Sequence, residues 1–223
     1  MKKNALTKNI FLFLAVFSVV ALQAQENNEV PQEEKGRFLY DVVVGIGRAK
    51  YSQTDRVDIT GSAVTLDFRI DYRLSDTYSL GSGINFLWVD ANGVFQGNEY
   101  SLEQRYLRIP LKITHTDFLG DLFGDKTVGI NNRTTHTYGA LGVYAGTLLR
   151  EEIKTLDSKV KTSNGGWNMG MFADFGAKFL ITEDTWFRVS ASAWIDFFEM
   201  KKNGVERKLE EVSTINISFS KRF

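Results

Sequence analysis

Residues 64–73 read VTLDFRIDYR, and apolar side chains alternate there with threonine, aspartate and arginine without a break. A β-strand points successive side chains to opposite faces, so this alternation predicts a strand. One face is apolar from Val64 to Tyr72, and the other carries charges from Asp67 to Arg73. Such a strand suits a wall with hydrocarbon on one side and water on the other.

The same period of two recurs from Phe38 to Phe223. Eight stretches of about ten residues show it, and no helical period persists between them. They cover residues 40–47, 64–73, 78–88, 107–114, 138–149, 167–179, 187–197 and 215–223. Pro110 does not suit a regular ladder, and it predicts a bulge. The sequence therefore predicts an all-β fold, an eight-stranded antiparallel up-and-down transmembrane β-barrel over residues 38–223.

Alternation alone leaves two kinds of barrel open: a soluble ligand carrier with an apolar interior, and a membrane barrel with its apolar face in lipid. The polar face favours the second, because its charges cannot sit in hydrocarbon but can pair in an enclosed polar lumen. We call these residues the lumen charge ladder: Asp67, Arg69, Asp71, Arg108, Lys112, Asp174, Lys178, Arg188 and Asp196. Since such a lumen is expected to hold water, replacing Asp67 by asparagine is expected to cost little.

The aromatic residues also favour a membrane barrel. If the strands run up and down from a periplasmic N-terminus, the aromatic side chains form a girdle at each membrane interface. One predicted rim has Tyr40, Tyr72, Tyr78, Phe179, Phe187 and Phe223, and the other has Trp88, Trp167 and Phe197.

The connections alternate in length. Those at 74–77 and 182–184 are tight, as periplasmic turns are. Long polar connections at 48–61, 90–99, 151–165 and 199–210 predict outer loops. The 115–135 connection is long on the periplasmic side, where Phe118, Leu119, Leu122 and Phe123 predict either a short surface helix or a packed loop.

The N-terminus has the features of an export signal. Residues 1–24 contain Lys2, Lys3 and Lys8, then an apolar run from residue 10 to 22, then Ala24. They predict a cleaved signal peptide, and residues 25–37 predict a polar periplasmic lead-in. The expected location is the outer membrane of a Gram-negative bacterium. The charges, 27 basic against 27 acidic, give no reason to expect nucleic acid, and the absence of cysteine excludes disulfides and cysteine-ligated metals.

Two stretches carry a resemblance to a known family. Residues 106–113, YLRIPLKI, and residues 139–146, GALGVYAG, resemble strand signatures of the PorT-like outer-membrane β-barrel protein family. The resemblance extends over residues 38–223. It implies an outer-membrane barrel without known catalytic residues, in a family of which some members are implicated in protein secretion across the outer membrane.

Catalytic chemistry is not predicted. His115 and His136 fall on the predicted periplasmic side, so neither can act as general base for the outward Ser52, Ser62, Ser101 and Ser163. A lipid-modifying enzyme is therefore the weakest alternative, and no cofactor or metal site is predicted.

Glycines and acid pairs predict structural roles. Residues 120–127, GDLFGDKT, lack the strand-to-helix context of a phosphate-binding loop. Residues 45–47 and 81–83 predict lumen positions where the interior is crowded. Glu151–Glu152 and Glu210–Glu211 predict a solvated charged rim, with contact to divalent cations that bridge lipopolysaccharide as the alternative.

The predicted function is a non-enzymatic structural, adhesive or accessory component of the outer membrane. Its expected partners are lipid and lipopolysaccharide, the barrel-assembly machinery, and other envelope proteins bound through the outer loops. The alternative is a narrow, porin-like conduit, although an eight-stranded interior is about filled by side chains. The last strand predicts an assembly signal, formed by Ile215, Ile217, Phe219 and Phe223.

Overall fold

A computed structural model describes residues 38–53, 59–95, 98–117, 135–156, 158–163, 166–202 and 205–223. The predicted signal peptide, the lead-in and residues 118–134 of the long connection lie outside the described residues. No helix long and apolar enough to cross a membrane occurs in the described part of the chain.

The chain forms ten strands in the described ranges. They are β1 (Phe38–Gln53), β2 (Ile59–Arg73), β3 (Tyr78–Phe95), β4 (Asn98–Thr116), β5 (Thr135–Thr155), β6 (Lys159–Ser163), β7 (Trp167–Thr182), β8 (Thr185–Asp196), β9 (Met200–Lys202) and β10 (Val205–Arg222).

Eight of these strands close into an antiparallel barrel. The order is β1-β2-β3-β4-β5-β7-β8-β10, and β10 pairs back to β1. Val44 of β1 lies opposite Leu66 of β2 on one side and Ile217 of β10 on the other. Closure gives every barrel strand two neighbours, so no sheet edge is left open around the wall. The predicted fold class is confirmed.

The barrel has two different ends. The turn end carries the short connections after Arg73 and Thr182 together with Phe38 and Phe223. The hairpin end carries the hairpins β1–β2, β3–β4, β5–β6 and β9–β10. Strands β6 and β9 are not part of the closed wall; β6 pairs with β5, and β9 pairs with β10.

The predicted faces are confirmed around the wall. Asp67 is 2% exposed and its neighbour Phe68 is 48% exposed. Large apolar side chains point outward on all eight barrel strands and form a continuous outer belt. Among its members are Val42, Val44, Val64, Phe68, Ile84, Ile109, Leu141, Phe175, Val189 and Ile217.

The predicted outer loops are wrong, because strand structure continues through most of them. β1 runs to Gln53 and β3 to Phe95, well past the predicted ends of the strands. The alternation continues there but reverses its polarity: Ile46 points outward and Arg48 follows it on the outer face, whereas Ala49 and Tyr51 are buried inside. Beyond the belt the wall has polar side chains outside and an apolar core inside, as in a soluble barrel.

The predicted polar lumen describes only one half of the interior. The half toward the turn end is charged, but the half toward the hairpin end contains an apolar cluster. That cluster includes Tyr51, Leu87, Val89, Leu102, Leu148, Phe172, Trp194, Met200, Leu209 and Val212. The lumen thus has two layers, which we call the polar layer and the apolar layer.

Pro110 does not form the predicted bulge. The register between β3 and β4 is the same on both sides of it, from Ser82 opposite Leu111 to Asn85 opposite Arg108. Proline has no N–H to donate, and the ladder to β3 is interrupted at this point without inserting a residue. The register shift that involves β4 lies instead opposite Arg105 and Tyr106, where β5 contains one extra residue, Leu149.

Candidate functional site

Arg69 is the centre of the polar layer. Its guanidinium donates to Asp67, two residues along β2, and across the lumen to Asp174 on β7, with 3.1 Å between Nη1 and Oδ2. Asn85 of β3 also donates to Asp67. All four side chains are buried. One cation therefore holds two carboxylates, and it brings ladder residues of β2 and β7 together.

Two more buried ion pairs complete this layer. Lys112 Nζ lies 2.9 Å from Asp71 Oδ2, and Arg188 donates to Asp41. The Arg188 guanidinium also lies over the Tyr138 ring, 4.4 Å from its centre. Asp41 is absent from the predicted ladder, although it alternates with Tyr40 and Val42 and could have been found from that pattern.

Lys178 is separate from these pairs. It is half-buried toward the turn end, where its Nζ donates to Thr116 Oγ1 at 3.1 Å and lies 5.2 Å from the Trp186 ring centre. Its inward orientation agrees with the prediction, but no acidic partner within ion-pair distance occurs among the described residues.

Arg108 and Asp196 lie where the polar and apolar layers meet, and they do not form an ion pair. The Arg108 guanidinium carbon is 4.9 Å from the Tyr144 ring centre and 5.2 Å from that of Trp194. Neither of its terminal nitrogens has a hydrogen-bond partner in the described ranges. Asp196 accepts instead from Tyr144 Oη and from the Leu209 amide at 3.0 Å.

The apolar layer encloses the carboxylate of Glu151. Glu151 accepts hydrogen bonds from Tyr51 Oη at 3.0 Å and from Gln104 Nε2 at 2.8 Å, and Tyr106 Oη donates to Gln104. Glu151 is 1% exposed. The prediction of a solvated rim is therefore wrong for Glu151, because at this height β5 still turns the residue into the barrel.

Glu152 points to the outer side of the same hairpin. Its carboxylate lies 2.6 Å from Lys159 Nζ and 2.6 Å from an Arg150 nitrogen, and 3.2 Å from Lys154 Nζ. Hydrogen bonds from Lys159 and Arg150 hold the pKa of Glu152 well below its ordinary value. These contacts form a network of ion pairs above the belt, and the pair with Lys159 joins β5 to β6.

The apolar layer fills the lumen. Trp194 and Phe172 stack with ring centres 4.1 Å apart, and Trp194, Leu87, Leu102, Leu148 and Leu209 are all fully buried. A Cβ added at Gly142 would come within 2.6 Å of the Phe172 ring, so glycine is needed there for the packing. The crowding predicted for 81–83 also holds at Gly81, where a Cβ would lie 2.7 Å from Lys112 Cε.

The two histidines lie at the turn end. His136 Nδ1 is 2.8 Å from Asp117 Oδ1, and the His115 ring lies 4.6 Å from the Tyr78 ring. Ser52, Ser62 and Ser101 are at the hairpin end, so the arrangement offers no histidine to activate them. No group of three or more potential metal ligands is present in the described part of the chain.

The predicted assembly residues lie on the outer wall of the closing strand. Ile215, Ile217 and Phe219 point outward from β10. The Phe223 amide donates to the Phe38 carbonyl at 3.1 Å, and its ring meets Tyr40 edge-on at 5.2 Å. Phe223 therefore joins the end of β10 to the start of β1 within the predicted turn-end girdle.

Comparisons with known proteins return solved structures only. No protein-family model matches the chain, and no curated protein sequence matches it. Neisserial surface protein A is similar to it at 11% identity over 86% of this chain and 100% of that one, with a TM-score of 0.48. OprG from Pseudomonas aeruginosa is similar at 14% identity over 84% of this chain and 98% of that one, with a TM-score of 0.44. The attachment invasion locus protein Ail of Yersinia pestis is similar at 12% identity over 85% of this chain and 99% of that one, with a TM-score of 0.39. At these identities and TM-scores, the fold rests on the strand order and closure of the chain itself.

Proposed function

We propose that the chain is an integral outer-membrane barrel with a sealed lumen, which acts without catalysis as a structural, adhesive or accessory component. The observation that carries this proposal is the apolar belt on all eight strands, outside a lumen filled by buried side chains. A belt of this extent on a closed barrel is costly in water and favourable in lipid. The resemblance to PorT-like barrels agrees with this assignment and names no partner.

The orientation follows from the two ends. Short turns and both ends of the barrel segment face the periplasm in such proteins, and the larger connections face outward. The hairpin end is then extracellular. Its hairpins are paired strands around an apolar core, so they present a preformed polar surface to envelope proteins or glycolipids.

A conduit for solutes is the weaker reading, and conductance tests it. The apolar layer leaves Trp194, Leu148 and Leu209 fully buried across the lumen. We expect the refolded protein to give no stable open conductance in planar bilayers, because an eight-stranded barrel is about filled by its own side chains. A known porin inserted under the same conditions is the positive control. A stable channel of porin size would contradict the sealed lumen.

The C-terminal residue provides a test of the assembly signal. Phe223 makes one backbone hydrogen bond and two ring contacts, with Tyr40 and with the exposed Lys221, so its deletion should cost little stability. Before closure, β10 exposes a free edge to which the assembly machinery can add a strand. We expect deletion of Phe223 to slow assembly in cells far more than it destabilises barrels refolded in detergent. Equal losses in the two assays would reduce Phe223 to a girdle residue.

A further inference from the structure

The outer wall of the β3–β4 hairpin contains a groove directly above the apolar belt. Along β3 the outward side chains change there from Phe86 and Trp88 to Asp90 and Asn92. The groove has a volume of about 430 Å³, within the range of small-ligand sites. Its outward lining consists of Trp88, Asp90, Asn92, Ser101, Glu103 and Arg105.

Cross-strand pairing brings these side chains into three rows. Trp88 lies opposite Arg105, Asp90 opposite Glu103, and Asn92 opposite Ser101. Directly opposed side chains are close neighbours, and like charges in such a pair destabilise it. Two carboxylates side by side are therefore an unfavourable choice for the hairpin alone.

Among the described residues, one of the two carboxylates, that of Glu103, forms an ion pair. Lys154 Nζ is 2.5 Å from Glu103 Oε1, and this hydrogen bond lowers the pKa of Glu103. Within the described ranges no ion pair reaches Asp90, whose backbone carbonyl accepts from Ser62 Oγ. The Asp90 carboxylate thus remains available as an acceptor in the groove.

Trp88 and Arg105 lie at one end of the groove and add an aromatic ring and a guanidinium to its polar lining. The Trp88 ring stacks on Phe86 with centres 6.2 Å apart, which fixes its orientation at the edge of the belt. The register shift between β4 and β5 begins at Arg105, and the extra residue, Leu149, lies in β5 beside it. An aromatic face thus adjoins acidic acceptors, a guanidinium donor, and an amide and hydroxyl that both donate and accept.

We propose that this groove binds a neutral sugar ring of a glycolipid in the same leaflet. A pyranose has a C–H face that suits an aromatic ring and hydroxyls that suit Asp90, Asn92 and Arg105. A phosphorylated sugar fits less well, because Asp90 and Glu103 would repel it. The groove opens sideways from the wall just above the belt, so a headgroup held in the bilayer meets it directly. This inference rests on the proposed membrane location.

Retention of a neutral glycolipid tests the inference. The full chain is placed in phosphatidylcholine nanodiscs doped with digalactosyldiacylglycerol, and co-purified lipid is counted by native mass spectrometry. We expect Trp88→Ala and Asp90→Ala each to reduce retention by about tenfold, since each removes a stacking or hydrogen-bonding partner. Trp167→Ala is the matched control: Trp167 occupies the same rim, is 66% exposed, and does not line the groove.

Other outcomes overturn the inference. Equal retention by the Trp88→Ala and Trp167→Ala variants would mean that the belt binds glycolipid nonspecifically. Displacement by free galactobiose at the same concentration as the lipid would make the ligand a soluble glycan. Heat-shifted gel mobility reports the fold of each variant separately. A wild-type chain that enters the bilayer but retains no glycolipid contradicts this inference alone, whereas a chain that does not enter the bilayer contradicts the proposed function.

Discussion

Arg69→Met is expected to destabilise the barrel by about 3–5 kcal/mol, because it leaves two buried carboxylates without their cation. Asp67 and Asp174 both contact Arg69, and all three side chains are at most 4% exposed. Asn85 would still donate to Asp67, but no other cation within ion-pair distance of Asp174 is described. The measurement is denaturant unfolding of the refolded protein, followed by tryptophan fluorescence.

Arg73→Met is the matched control for this change. Arg73 is also on β2 and is paired with Asp76, but its side chain is 38% exposed and that of Asp76 is 73% exposed. An exposed pair of this kind contributes about 0–1 kcal/mol. Adding Asp67→Asn and Asp174→Asn to Arg69→Met should restore much of the lost stability, since no buried charge then remains unpaired. Equal costs for Arg69→Met and Arg73→Met would mean that water screens the polar layer.

The burial of Asp67 raises the expected cost in stability of replacing it by asparagine. The sequence suggested a hydrated lumen in which the charges re-pair freely. Asp67 is instead held by Arg69 and Asn85 and is 2% exposed. Alternation identifies which side chains face inward, but it cannot tell how much water the interior admits. That depends on which inward side chains meet across the lumen, and these come from strands far apart in sequence.

The barrel wall could be predicted because a single environment acts on each of its faces. From Val64 to Arg73 the outer face is apolar and the inner face is polar, so the period of two is unbroken. The hairpins could not be predicted in the same way, because the outward side chains change from apolar to polar at Arg48 and at Asp90. Past these residues the polar side chains point outward and the apolar ones inward. When the apolar and polar faces exchange while the alternation continues, the sequence looks as if the strand had ended.

The candidate groove was hidden by the same reversal. Asp90 and Asn92 fall in the segment predicted as a polar loop, where their side chains have no assigned direction. Only the pairing of β3 with β4 shows that Asp90 faces Glu103 and that Trp88 lies beside them. The useful signal was the interrupted alternation itself, because Leu87, Val89 and Ala91 continue the period of two on the inner face.

Phe175→Arg is expected to cost about 2–4 kcal/mol in a bilayer, because it puts a charge on the lipid face of β7 near the middle of the belt. Phe175 points outward and is 43% exposed, with further apolar outward residues toward both ends of the strand. Leu66→Arg on β2 should act in the same way. The effect is measured by urea titration of the protein refolded into phosphatidylcholine vesicles.

An arginine substitution nearer the turn end, Ile181→Arg, is the control that shows whether the belt lies in lipid or in water. Ile181 lies on the same strand and also points outward, but it is next to the turn end, and it is 55% exposed. Arginine near the interface costs about 0–1 kcal/mol, since its guanidinium can reach the headgroups. A large cost at Phe175 and a small one at Ile181 therefore indicate a belt in hydrocarbon. Were the barrel soluble, both arginines would face water, and neither change would cost more than a small fraction of the stability.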